Sequence, residues 1–147
     1  IKTLNPNGGY HVNAPGRAAN TKVAVDAQLV GDTDRRYVAV GCRLQSDDKS
    51  FYEFYIYPAS GSFGVQRVGE NSQVLVRDTS KDVKPGTSSN HLELTCAGNA
   101  LAATVNGALV ASVTDTTYAE GRATISAGAY SDHTADSRFT NLTVTQQ

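Results

Sequence analysis

The sequence predicts an all-β protein, an antiparallel sandwich or barrel, and three observations predict it. Short runs alternate apolar and polar residues with period two, the pattern of half-buried strands. Turn residues punctuate those runs at regular spacing. No stretch offers a long amphipathic helical pattern.

The clearest segment is His91–Val113, HLELTCAGNALAATVNGALVASV. Leu92, Leu94 and Cys96 alternate with Glu93 and Thr95. Leu101, Ala103 and Val105 alternate with Ala102 and Thr104, and Leu109, Ala111 and Val113 with Val110 and Ser112. Asn106-Gly107 is the pair that best tolerates the positive φ angles of a type I′ hairpin turn, and Ala97-Gly98-Asn99 serves one turn earlier. A three-stranded meander follows from these features.

The remaining elements read in order. Ile1–Gly9 has no periodicity and carries Asn-Pro-Asn-Gly-Gly, so it is a linker remnant or an ordered leader. Tyr10–Val12 predicts a short edge strand. Thr21–Val30 sets Val23, Val25, Ala27 and Leu29 against Lys22, Asp26 and Gln28. In Tyr37–Leu44, Val38, Val40, Cys42 and Leu44 share one face, and Tyr37, Ala39, Gly41 and Arg43 the other. Phe51–Tyr57 places Tyr52, Phe54 and Ile56 opposite Phe51, Glu53, Tyr55 and Tyr57. Phe63–Val68 and Gln73–Arg77 continue as strands, and Arg77–Asn90 is the one long loop. After the meander, Arg122–Gly128 and Ser137–Val144 close the chain, the latter with Phe139, Leu142 and Val144 as its apolar residues.

At 147 residues the chain reads as a single domain, 1–147. That is long enough to bury roughly two-thirds of its unfolded surface. Lys+Arg 13 against Asp+Glu 14 leaves a formal charge of -1, with no basic run or stripe, so nucleic acid is not an expected partner. The apolar runs fall short of a bilayer span, and membrane insertion by this segment is not expected. Cys42 and Cys96 fall in phase with inward residues on separate predicted strands. Two buried free thiols and a disulfide both fit that phase; the disulfide is the expectation, and with it an oxidising, extracytoplasmic setting.

The order GCRL, SFYEFYIYPASGSFGV, NHLELTCAGNALAATVNGALVASVTDTTYAEGRATISAGAY and DSRFTNLTV resembles bacterial laminin-G/concanavalin-A-like jelly-roll domains. It looks closest to the DUF1080, or 3-keto-disaccharide-hydrolase-like, branch. The matching positions are Cys42-Arg43, Tyr52 and Phe54, Asn90 to Gly98, Val105-Asn106-Gly107, Asp115 with Tyr118 and Gly121, and Phe139 to Val144. The resemblance implies a two-sheet jelly roll. Cysteine at both positions is similar to the group's extracellular members, which reinforces the disulfide expectation. It also keeps a glycoside-acting enzyme open as the alternative function.

Candidate chemistry is sparse. A glycosidase needs two carboxylates across a cleft, and Glu53, Glu70, Glu93 and Glu120 are scattered singly. His11, His91 and His133 lie in unrelated contexts, and no Gly-x-Ser-x-Gly occurs. No catalytic residue is assigned. The leading expectation is a non-catalytic recognition or sensor domain that binds a glycan or other small polar ligand, with a protein partner or structural role as the alternative. Its site is the sheet face opposite the core residues: Arg43, Glu53, Tyr55 and Tyr57 with Gln66, since aromatic rings stack on sugar C–H faces while Arg and Glu bond hydroxyls. No cofactor is required. Ca²⁺ is the one alternative, with the loop pairs Asp47 and Asp48, Asp32 and Asp34, or Asp132 and Asp136 as hard oxygen ligands.

Overall fold

The computed structural model describes all 147 residues, Ile1–Gln147. Eleven strands succeed one another along the chain: β1 (Gly9–Asn13), β2 (Thr21–Leu29), β3 (Arg36–Leu44), β4 (Phe51–Tyr57), β5 (Ser62–Val68), β6 (Gln73–Thr79), β7 (Asn90–Ala97), β8 (Ala100–Val105), β9 (Ala108–Thr114), β10 (Arg122–Ala129) and β11 (Ser137–Gln146). They form two antiparallel sheets. The six-stranded sheet has the order β1-β10-β3-β4-β5-β6, and the five-stranded sheet β11-β2-β7-β8-β9. No helix is long and apolar enough to cross a membrane.

Alternation decides which side chains meet between the sheets. Val38, Val40, Cys42, Tyr52, Phe54, Ile56, Phe63 and Val65 come from the six-stranded sheet. Val23, Val25, Leu29, Leu92, Leu94, Leu101 and Val105 face them from the other. The Cys42–Cys96 disulfide joins the two layers from β3 to β7 and closes a loop of sequence separation 54. In the chain-entropy model such a loop contributes about 4 kcal/mol. Both turns of the meander form as expected: Asn106 and Gly107 have φ of 50° and 85°, and Gly98 has φ of 57°.

Two apolar faces depart from strict alternation. A register shift between Ala103 and Thr104 pairs Thr104 with Leu109, so Leu109 turns outward and is 67% exposed. Another between Thr140 and Thr143, at Asn141 with φ 56°, realigns β11 so that Val144, opposite Val23, returns to the core side at the sheet edge, where it and Leu142 stay partly exposed. An extra residue in one strand of a pair reverses the facing of the residues beyond it.

Ile1–Gly8 is ordered against the segment that leads into β11. Thr3 exchanges backbone and side-chain bonds with Ala135, the amino terminus donates to the Ser137 carbonyl, and Asn7 bonds both the amide and carboxylate of Asp132.

Candidate functional site

The centre of the outer face of the six-stranded sheet is buried, although no second layer covers it. Phe51, Glu53, Tyr55, Thr124 and Ser126 all point there and are buried. The sheet achieves this with its own side chains. Two of the tyrosines on this face, Tyr55 and Tyr37, lie over glycines. A Cβ on Gly64 would sit 2.2 Å from the Tyr55 phenol oxygen, and one on Gly128 would sit 2.6 Å from the Tyr37 ring. Gly9 also gives way to the Tyr37 hydroxyl. The rings form a continuous cluster: Tyr37 to Tyr57, Tyr55 to Tyr57 and Tyr57 to Tyr130 each have centroids 5.5 Å apart, and Tyr37 to Tyr55 6.3 Å. Burial pushes the phenol pKa values of Tyr37 and Tyr57 well up, so both are neutral donors.

Beside the tyrosines stands Glu53. In register it lies between Gly41 on β3 and Gln66 on β5. Gln66 donates its side-chain amide to one carboxylate oxygen at 2.7 Å, and the Ser126 hydroxyl donates to the other. Burial raises the Glu53 pKa, and those two hydrogen bonds oppose the rise without cancelling it. No cation is paired with it. The neighbouring Thr124 hydroxyl is buried with no partner at all. A cavity of about 270 Å³ opens here, lined among others by His11, Tyr37, Phe51, Glu53, Gln66 and Ser126. The His11 ring packs on Phe51 at 5.2 Å. Tyr55, Tyr57, Ser60, Ser62, Arg77 and Tyr130 line an adjoining cavity of about 340 Å³.

Four of the five expected face residues, Glu53, Tyr55, Tyr57 and Gln66, therefore gather on one surface. Arg43 does not. The register of β10 against β3 shifts between Thr124–Gly41 and Arg122–Leu44, and Arg43 sits at that irregularity with φ 58°. Its side chain leaves the face and is 2% exposed. The guanidinium donates to the Ala19 carbonyl at 2.8 and 3.0 Å, to Tyr118 at 2.9 Å and to Gly98 at 2.8 Å. It holds three loops together. Strand phase alone cannot register a bulge, so the expectation of Arg43 as a ligand contact is corrected.

The Asp115, Tyr118, Gly121 motif is architectural in the same way. The Tyr52 hydroxyl donates to Asp115, whose other oxygen takes Arg67 at 2.7 Å. Burial would raise the Asp115 carboxyl, but the bonds from Tyr52 and Thr117 and the charge of Arg67 outweigh it and hold the pKa to about 2. The Tyr118 ring packs on Tyr52, and its hydroxyl bonds the Val68 carbonyl. A Cβ on Gly121 would fall 2.4 Å from the Arg43 backbone.

The loop aspartates are occupied with protein groups. Asp47 accepts from the Lys49 and Ser50 amides and the Ser50 hydroxyl, and Asp48 pairs with Arg122. Asp132 is held by Asn7, and Asp32 by Arg36 and the Asp34 amide. No three His, Cys, Asp or Glu side chains converge as a metal would need.

His11, Tyr37, Phe51, Arg77, Ser126 and Tyr130 join the site without having been singled out by sequence. Tyr37 and Phe51 carried a signal, since both share the phase of Tyr55. Arg77 and Tyr130 sit at an edge strand and in a loop, where period two says nothing of direction.

No protein-family model and no curated protein matches this sequence. Solved structures do match the fold. The Bacillus subtilis carbohydrate-binding module CBM66 superposes with a TM-score of 0.79 at 16% identity, covering 94% of this chain and 82% of its own. Sheep galectin-11 in complex with glycerol gives 0.63 at 10% identity over 97% and 100% of the two chains. The Bacillus licheniformis β-glucanase gives 0.67 at 7% identity over 93% and 71%. The fold is a galectin-like jelly roll. At these identities the likeness extends to architecture and no further.

Proposed function

We propose that this protein binds carbohydrate on the outer face of its six-stranded sheet. One observation carries the reading: a buried carboxylate, Glu53, with only neutral partners, stands in an open cavity beside four packed tyrosines. Burying a carboxyl without a cation costs stability, and nothing in the fold needs it there. The accessible rings of Tyr57 and Tyr130 accept the C–H face of a sugar, while Glu53 and Gln66 bond its hydroxyls. A carbohydrate-binding module and a galectin among the structures of like fold support the reading. The Cys42–Cys96 disulfide supports an oxidising, extracytoplasmic setting, as for a recognition or sensor domain of a secreted or surface protein.

The test is a glycan-array screen of the chain in calcium and again in chelator, with Tyr57→Ala beside it. Selective binding that Tyr57→Ala loses is expected. Loss of binding in chelator would bring calcium and the loop aspartates into the site. Silence throughout, from a folded protein, would refute the reading and leave a protein partner.

A hydrolase-like activity has one observation in its favour, the burial-raised carboxyl of Glu53, which suits a general acid. Asp48 also lines that cavity, but it is paired with Arg122. Release of reducing sugar that Glu53→Gln abolishes would establish that reading instead.

A further inference from the structure

We infer that the Tyr55, Tyr57 and Tyr130 end of the site receives the anionic group of an acidic saccharide, a uronate carboxylate or a sulfate ester, on Arg77. The inference rests on the carbohydrate-binding reading and names the class of sugar.

Placement comes first. In the sheet register Tyr55 lies opposite Gly64, and Gly64 opposite Arg77. Because Gly64 has no side chain, the Tyr55 ring lies across it. Phenol and guanidinium thus become neighbours in the wall of one cavity. Two hydroxyls, Ser60 and Ser62, 2.8 Å apart, complete the polar side.

Charge decides the ligand. The other arginines of this sheet are already used: Arg36 pairs with Asp32, Arg67 with Asp115, Arg122 with Asp48, and Arg43 is consumed by carbonyls. Arg77 is exposed, has no carboxylate within ion-pair distance, and no Asp or Glu lines its cavity. A guanidinium offers a planar fork of donors that fits a carboxylate or sulfate in two parallel bonds. A neutral sugar would leave the guanidinium charge without a counter-ion. At the opposite end, the buried carboxyl of Glu53 disfavours an anion beside it; Asp48 in that cavity is already paired with Arg122, and Lys49 lies among its lining residues. The site therefore has polarity along its length: sugar hydroxyls toward Glu53, the acidic group toward Arg77. A cavity of about 340 Å³ is of the size that small-molecule ligands occupy.

The experiment titrates the whole chain with paired probes that differ only in charge. Oligogalacturonate is set against its methyl ester, and dextran sulfate against dextran. The charged member of one pair should bind about tenfold more tightly, the scale of a charge-assisted contact. That advantage should shrink with added salt. The pair that shows it tells carboxylate from sulfate. Arg77→Gln, an exposed edge-strand change whose folding a denaturation curve checks, should make the two members bind alike. Binding confined to neutral glycans, or a charge preference that survives Arg77→Gln, would overturn the inference while the carbohydrate reading stands. Absence of binding to these probes and to every glycan of the array would overturn both.

Discussion

Replacing Arg43 by methionine should unfold the protein well before it affects any ligand. Methionine keeps most of the side chain's length and packing but none of its donors. Four hydrogen bonds to three carbonyls disappear, those of Ala19, Gly98 and Tyr118. Each bond from a charged donor is worth about 1.5–3 kcal/mol, and carbonyls left buried without a donor lose more. The loops that carry them lie near the surface, so water recovers part of the loss. The net destabilisation should be about 3–5 kcal/mol, within the range for breaking a buried network. In a domain of this size that is a fall of about 10–15 °C in melting temperature. Urea unfolding with the disulfide intact measures it, and glycan binding at low temperature, where the variant is still folded, should persist. A loss under about 1 kcal/mol together with abolished binding would refute the reasoning and return Arg43 to the ligand face.

Three further outcomes are expected. Glu53 has a folded pKa above its unfolded value, so its contribution is full below the ordinary carboxylate range and is lost as pH rises through the raised value. Glu53→Gln, whose amide can bond Ser126 while its oxygen keeps Gln66, should be more stable than the parent at pH 8 and lose that advantage near pH 4; a less stable variant at pH 8 would count against a buried charge. Gly64→Ala should lift the Tyr55 ring, since the new Cβ would lie 2.2 Å from a phenol oxygen at the end of a side chain that can swing. Saccharide affinity should fall several-fold with a stability change near 1 kcal/mol, and unaltered affinity would remove Tyr55 from the site. On the opposite sheet, His91 has a raised pKa, chiefly because Asp26 accepts its Nδ1–H at 2.7 Å, with Glu93 at 3.2 Å on the other nitrogen and burial opposing. Its stabilisation is complete below the ordinary histidine value and is lost as pH rises through the folded one. With 41% of the side chain exposed, the effect is a few tenths of a kcal/mol. The stability gap between the parent and His91→Gln should narrow from pH 6 to pH 9, and a gap that widens would contradict the sign.

Period-two alternation determined the strands because a side chain's face follows from its position in the strand and needs no partner to be known. β4 spans Phe51–Tyr57 as read, and the alternation of β2, β3 and β7 sends Val23, Val40 and Leu94 into the core. Asn106-Gly107 determined its hairpin for the same local reason, as did the inward phase of Cys42 and Cys96, which meet across the sandwich. Glu53, Tyr55, Tyr57 and Gln66 could be placed on one face by phase alone.

Tertiary structure decided the rest, through events that alternation does not encode. Bulges at Arg43 and Leu109 are set by how the strands pair, and each reversed a facing that phase had assigned. Pairing also decided which glycine lies under which tyrosine: Gly64 beneath Tyr55, and Gly128 beneath Tyr37, 91 residues away in the chain. Arg77 and Tyr130 reach the site from an edge strand and a loop, and only the assembled sheet brings them beside Tyr57. The composition supplied the aromatic rings and the carboxylate; the long-range pairing of β1, β10, β3, β4, β5 and β6 made them a single surface.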